Sequence, residues 1–146
     1  MPALTRRLCH NAHQETWRIH YGDVRVGRIG IRAGVPDDVD QWGWSCGFYP
    51  TADLIIRHDE GTAPNFKRAR RYFETSWKAL LPKLTEADFE AWRRHRDFTA
   101  WKYAMHDLGL KLPTATTAGV ARCLCGATIT NASCDEHIHS AHRMTE

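Results

Sequence analysis

The strongest constraint on how this chain folds lies at its end. Three cysteines and three histidines, Cys123, Cys125, Cys134, His137, His139 and His142, fall within twenty positions, and no other stretch gathers comparable soft metal ligands. One residue separates Cys123 from Cys125, eleven separate Cys125 from His137, and four separate His137 from His142. A structural zinc ion takes four tetrahedral nitrogen or sulfur ligands. A segment this short has too little apolar surface to fold without such an ion. Ile129 and Cys134 lie between Cys125 and His137. The five cysteines of the chain cannot all pair into intramolecular disulfides, so oxidised pairing accounts poorly for the cluster.

With this spacing, residues 122–143 resemble a C2H2-type zinc finger. The resemblance implies a ββα fold with Cys123, Cys125, His137 and His142 on Zn2+. Its Cys pair encloses one residue, against the two to four that are usual. The short Cys-x-Cys pair followed by a later Cys and His also resembles a SWIM-type site, which would recruit Cys134 and release His142. In the C2H2 family the base-contacting positions, counted back from His137, fall on Thr130, Ser133 and Glu136. None of these is an Arg, Lys, Asn or Gln able to make a bidentate contact to G or A.

The chain has 146 residues, enough for one ordinary domain and a small appendage. Its N-terminus has no apolar run of signal-peptide length, and no stretch approaches the eighteen apolar residues of a membrane span. A cytoplasmic protein with no membrane partner is expected. The formal charge of +3 says little by itself, but its distribution says more. Residues 62–111 hold eleven Lys or Arg against six Asp or Glu, residues 1–50 hold six against five, and residues 112–146 hold two against three. The tally places any attraction for an anionic partner in the middle of the chain.

Residues 1–16 lack a clear period and are expected to form a loose arm. Trp17, Ile19 and Tyr21 alternate, Gly22-Asp23 follows, and Val24 and Val26 resume, which is a hairpin signal. Gly27 and Gly30 suggest a bulge. Residues 34–40 have a loop composition. Trp42, Trp44, Cys46 and Phe48 alternate again, and Leu54-Ile55-Ile56 reads as a short strand or buried turn. Phe66, Ala69, Phe73, Trp77 and Leu80 form the stripe of an amphipathic helix that ends before Pro82, with Asn65 or Thr62 as cap. A second helix opens at Thr85-Glu-Ala-Asp88, a capping-box form, and closes at Gly109. Its buried line is expected at Ala87, Ala91, Phe98, Trp101, Met105 and Leu108, with Phe89 and Trp92 beside it. The class is α+β: a small antiparallel sheet packed against two amphipathic helices, with a C-terminal ββα finger. The parts are an arm at 1–16, an α+β domain at 17–110, a linker at 111–121 and the finger at 122–146. The order of elements is similar to that of HicB-type antitoxins.

Catalysis is not supported by the residues. Arg57-His58-Asp59-Glu60 carries acid and base groups, but it reads as a solvated loop. Asp37, Asp38 and Asp40 suit turn chemistry, the Gly-x-x-Gly spacing at Gly27 and Gly30 lacks a phosphate loop's length and Lys, and Cys9, His10 and His13 form an isolated trio. Four good ligands in one short segment make a closed zinc site, with no position for water. Binding remains. Lys67, Arg68, Arg70 and Arg71 on the first helix, with Arg93, Arg94 and Arg96 on the second, could converge on phosphates. Glu74, Glu90 and Asp97 interrupt these runs as i to i+4 partners. The expected protein is a non-enzymatic zinc-binding regulator associated with nucleic acid. The alternative is an adaptor or antitoxin-like partner whose finger grips another protein. Trp42 and Trp44 would stack bases if exposed, but core packing suits their alternation better.

Overall fold

A computed structural model describes residues 2–10, 12–52 and 58–145. Leu54-Ile55-Ile56 lies outside the described residues. Packing divides the chain into two units, residues 1–92 and 93–146, each with its own core. The division falls inside the second helix, whereas composition suggests a break at 111–121.

The first unit is a five-stranded antiparallel meander, β1 (Leu4–Leu8), β2 (Thr16–Tyr21), β3 (Val24–Ile31), β4 (Trp42–Cys46) and β5 (Asp59–Ala63), joined in that order. The β2–β3 hairpin forms where the alternation places it and turns at Gly22, whose φ of 60° favours glycine. A bulge sets Ile19 against Gly27 and His20 against Arg25, which leaves Val26 as the extra residue. Gly27 is required there for a second reason. A Cβ on it would lie 2.1 Å from the Ser45 carbonyl oxygen and 2.5 Å from Phe73 Cε2, so the strand sits directly against the covering helix.

Two strands escape the sequence reading. The expected arm contains β1, which pairs along its length with β2, Leu4 opposite Tyr21 and Leu8 opposite Trp17. β1 carries Arg6 and Arg7 in succession and shows little alternation, because it is an edge strand with one side in water. Arg6 folds back over the Trp17 ring at 4.5 Å and the Phe66 ring at 4.8 Å. At the other edge, Asp59 and Glu60 are strand residues rather than a solvated loop. Asp59 accepts from the Ser76 hydroxyl at 2.9 Å. Gly61 lacks the side chain that would collide with the Trp44 indole, 3.0 Å from its notional Cβ, and this lets so polar a segment pair with β4.

The first helix, α1 (Phe66–Leu80), runs over the expected residues. Asn65 caps it by accepting from the Arg68 N–H at 2.9 Å. Ala69, Phe73 and Trp77 are buried beneath it with Ile19, Val24, Val26, Ile29, Cys46 and Phe48 from the sheet. Trp42 and Trp44 pack against this core, Trp42 edge-on to Phe66 at 5.6 Å, as their alternation predicts.

The second helix, α2 (Glu86–Asp107), opens with the capping-box pair in place: the Asp88 carboxylate accepts from the Thr85 N–H at 2.8 Å. It closes on Gly109 at φ 68°, with Leu110 N–H on the Met105 carbonyl and Gly109 N–H on that of His106, a Schellman arrangement. Its buried line differs from the expected one. Phe89 and Trp92 join the first core, and from residue 93 the buried positions are Asp97, Trp101 and Met105. That face turns Phe98 outward, leaves Ala87 exposed at the start, and places Leu108 beyond the last turn, 63% exposed.

The second unit adds β6 (Val120–Arg122), β7 (Thr128–Thr130) and α3 (Cys134–Ala141), the ββα order that the C2H2 resemblance implies. Its core is Trp101, Met105, Cys123, Ile129 and Ile138, with Cys134 packed at the margin. Among the described residues no helix is long and apolar enough to cross a membrane.

Candidate metal centre

β6 leads into a tight turn in which Gly126 N–H donates to the Cys123 carbonyl and Cys123 N–H to that of Ala127, both at 2.8 Å. Gly126 takes φ 92°, a conformation that a side chain would strain. This turn aims both thiols of the Cys-x-Cys pair to one side. α3 begins four residues after β7, and its turns bring His137 to the same place, with His142 at the residue that ends the helix.

The donor atoms of Cys123, Cys125, His137 and His142 all lie within 4.8 Å of one another. Cys123 Sγ is 3.2 Å from His142 Nε2, and Cys125 Sγ is 3.4 Å from His137 Nε2. Sulfur and nitrogen at tetrahedral corners around a zinc-sized ion stand about 3.6 Å apart. The two sulfur–nitrogen pairs are close to that spacing, and all four donors are near enough together to hold one metal ion after a modest contraction of the set. Burial, and then the neighbouring His137, hold His142 below the ordinary histidine value, which favours the neutral imidazole that offers a lone pair.

The remaining candidates are engaged elsewhere. His139 is turned away from the centre: its Nδ1 lies 3.3 Å from Asp97 Oδ2 and its Nε2 3.0 Å from Asp135 Oδ1. Cys134 packs at the edge of the core, and burial, followed by Cys123 and Asp135 nearby, raises its thiol above the usual range. Its sulfur is not one of the four gathered donors, so the geometry favours the C2H2-like set over the SWIM-like one.

Sequence reasoning missed the support behind these ligands. Trp101 of α2 donates its indole N–H to Cys123 Sγ at 3.3 Å. Asp97, fully buried, gathers the chain's end: it accepts from Met144 N–H and Arg143 Nη1, each at 3.1 Å, and from Arg96 Nε at 3.2 Å. Burial alone would raise its carboxyl, but the Met144 N–H, His139 and Arg96 together hold it below the carboxylate range. The i to i+4 pattern in the sequence cannot show this, because Asp97 is bound across more than forty residues.

The basic residues of the helices are distributed between the units. Lys67, Arg68, Arg70 and Arg71 are exposed on α1, with Arg70 paired to Glu74 at 2.9 Å. Arg93, Arg94 and Arg96 belong to the second unit, where Arg94 meets Asp135 at 3.0 Å and Arg96 meets Asp97. Thr130 and Ser133 are bonded to each other at the start of α3.

No family model matches the chain, and no solved structure matches it. The similarity in element order to HicB-type antitoxins has no support from these comparisons, and the Cys2His2 arrangement stands on its own geometry.

Proposed function

We propose that the chain is a non-enzymatic protein whose C-terminal unit is closed by a structural zinc ion and which acts as a nucleic-acid-associated regulator. One observation carries the metal: two thiols and two imidazoles converge within 4.8 Å. A mixed set of two sulfur and two nitrogen donors suits zinc better than the oxygen-seeking cations. Four protein donors fill the coordination sphere, which leaves no corner for a reactive water and favours a structural role over hydrolysis. The basic excess of the chain supports the nucleic-acid part of the reading.

A second reading, a module that grips another polypeptide, is favoured by one feature of the C-terminal unit. Phe98, Leu112, Pro113 and Ile138 line an apolar groove beside α3.

The metal assignment is tested by elemental analysis of the full chain from zinc-replete medium, followed by exchange with Co2+. One equivalent of zinc and a tetrahedral thiolate spectrum are expected. Metal-free protein with α3 still ordered would sink the assignment. Salt-dependent retention of oligonucleotides separates regulator from adaptor.

A further inference from the structure

The sheet of the first unit has two faces. α1 covers the one bearing Ile19, Ile29 and Cys46. The other is set by strand register: Arg7 stands opposite Arg18, Arg18 opposite Arg28, Arg28 opposite Ser45, and Ser45 opposite Glu60. Three arginines thus form one cross-strand row. Adjacent strands lie about 4.8 Å apart, so the row spans roughly 10 Å. Arg25, in the neighbouring row opposite His20, adds a fourth. Arg7, Arg18, Arg25 and Arg28 are all exposed. Arg18 reaches the Cys9 sulfur at 3.5 Å, and among the described residues neither Arg25 nor Arg28 has an ion-pair partner.

Like charges placed directly opposite in a sheet are destabilising. At Arg25 partial burial, and then the neighbouring Arg18 and Arg28, hold the guanidinium below its ordinary value. An arrangement that costs stability and offers dense positive charge is complementary to a polyanion. Two adjoining grooves share Arg28 and Ser45; one also holds Arg25, His58, Tyr49 and Trp92, the other Arg32 and Thr62. Tyr49, 69% exposed, stands where a base lying beside a phosphate track would stack. The broad face of a five-stranded sheet does not enter a major groove, which admits a helix or a two-stranded ribbon. A flexible strand with unstacked bases can follow both the arginine row and the aromatic groove.

We propose that the face of the β1–β5 sheet turned away from α1, through Arg7, Arg18, Arg25 and Arg28 with Tyr49 beside them, is a binding surface for single-stranded nucleic acid. Glu60 ends the row with the opposite charge, so the strand's path runs over β1 to β4. The proposal rests on the nucleic-acid reading above, but moves the surface from the helices to the sheet.

The test uses full-length, zinc-loaded protein with labelled oligo-dT and oligo-U about 12 nucleotides long. Arg18→Ala with Arg28→Ala should weaken binding about tenfold or more and lower the slope of log affinity against log salt by about 0.7 per arginine removed. The thermal midpoint should hold or rise, because repulsion is relieved. Tyr49→Ala should cost about fivefold or more. Lys67→Ala with Arg71→Ala, on α1, should change affinity less than twofold. If the double alanine variant misfolds, Arg18→Gln with Arg28→Gln replaces it under the same criterion. Loss of binding in the α1 variant but not in the sheet variants would overturn the proposal and leave the nucleic-acid reading standing. Absence of salt-dependent binding to both oligonucleotides would remove both. Equal affinity for a duplex of the same length, for an acidic polypeptide or for anionic vesicles would overturn the assignment to single strands.

Discussion

The indole N–H of Trp101 and the sulfur of Cys123 are joined by a 3.3 Å hydrogen bond between two buried side chains, twenty-two positions apart. Such a bond orients a thiolate and spreads its charge, and removing partners of this kind costs a metal site roughly 10- to 100-fold in affinity. Trp101→Phe keeps the ring and deletes the donor. It should weaken zinc binding about tenfold in competition with a chromophoric chelator, while the unit stays folded at saturating metal.

The ligand set makes its own prediction. Cys125→Ser and His137→Ala should each abolish the tetrahedral cobalt spectrum, whereas Cys134→Ser should retain it, because the Cys134 sulfur lies outside the gathered donors. Chelation should raise amide exchange across residues 120–142 and leave the β2–β4 amides protected, since the sheet packs on its own core.

Asp97 has no exposed surface and receives Arg96, Arg143 and the Met144 N–H. Asp97→Ala would leave those donors without their acceptor, at a cost of about 3 kcal/mol in chemical denaturation. It should also release the last residues of the chain to proteolysis.

Cys46 is buried under α1, and that burial pushes its thiol from 9.0 up to about 11, opposed by the Ser76 hydroxyl and reinforced by Asp59. The folded state therefore favours the neutral thiol. Its stabilisation is complete below about pH 9 and declines as pH rises towards 11. In urea titrations the stability difference between wild type and Cys46→Ala should be constant below that window and change across it, with the wild type losing stability that the variant keeps. Cys46 should also resist alkylation at neutral pH.

Gly27→Ala places a methyl group against the Ser45 carbonyl and the Phe73 ring at a φ of 156°. Neither neighbour can retreat without parting sheet from helix. A loss of about 3 kcal/mol or more is expected by thermal unfolding.

What the sequence reveals depends on whether the determining interactions are local. The α1 stripe, the Gly22 turn and the Thr85–Asp88 cap are set by neighbours within a few positions, and each appears where the pattern places it. The four gathered donors are readable because the chemistry of a metal site restricts residue type and spacing. β1 and β5 were not readable, since polar edge strands owe their pairing to partners rather than to alternation. Asp97 reads as a helix-surface partner in the sequence, yet its bonds come from residues more than forty positions on. The charge tally averages over an asymmetry. Residues 1–50 balance six arginines with five acids, but Glu15, Asp23, Asp37, Asp38 and Asp40 all lie between strands, while four of the arginines share a sheet face. Only register separates them.

The floor of the C-terminal core, Trp101 and Met105, comes from a helix that precedes the cysteines by many residues. A peptide cut at 111–121 to isolate the ββα segment would carry its metal donors but abandon two of its largest hydrophobic contacts. Unlike a self-sufficient bead that can travel between proteins, this ββα segment has to be transplanted together with its helical footing, starting near residue 93.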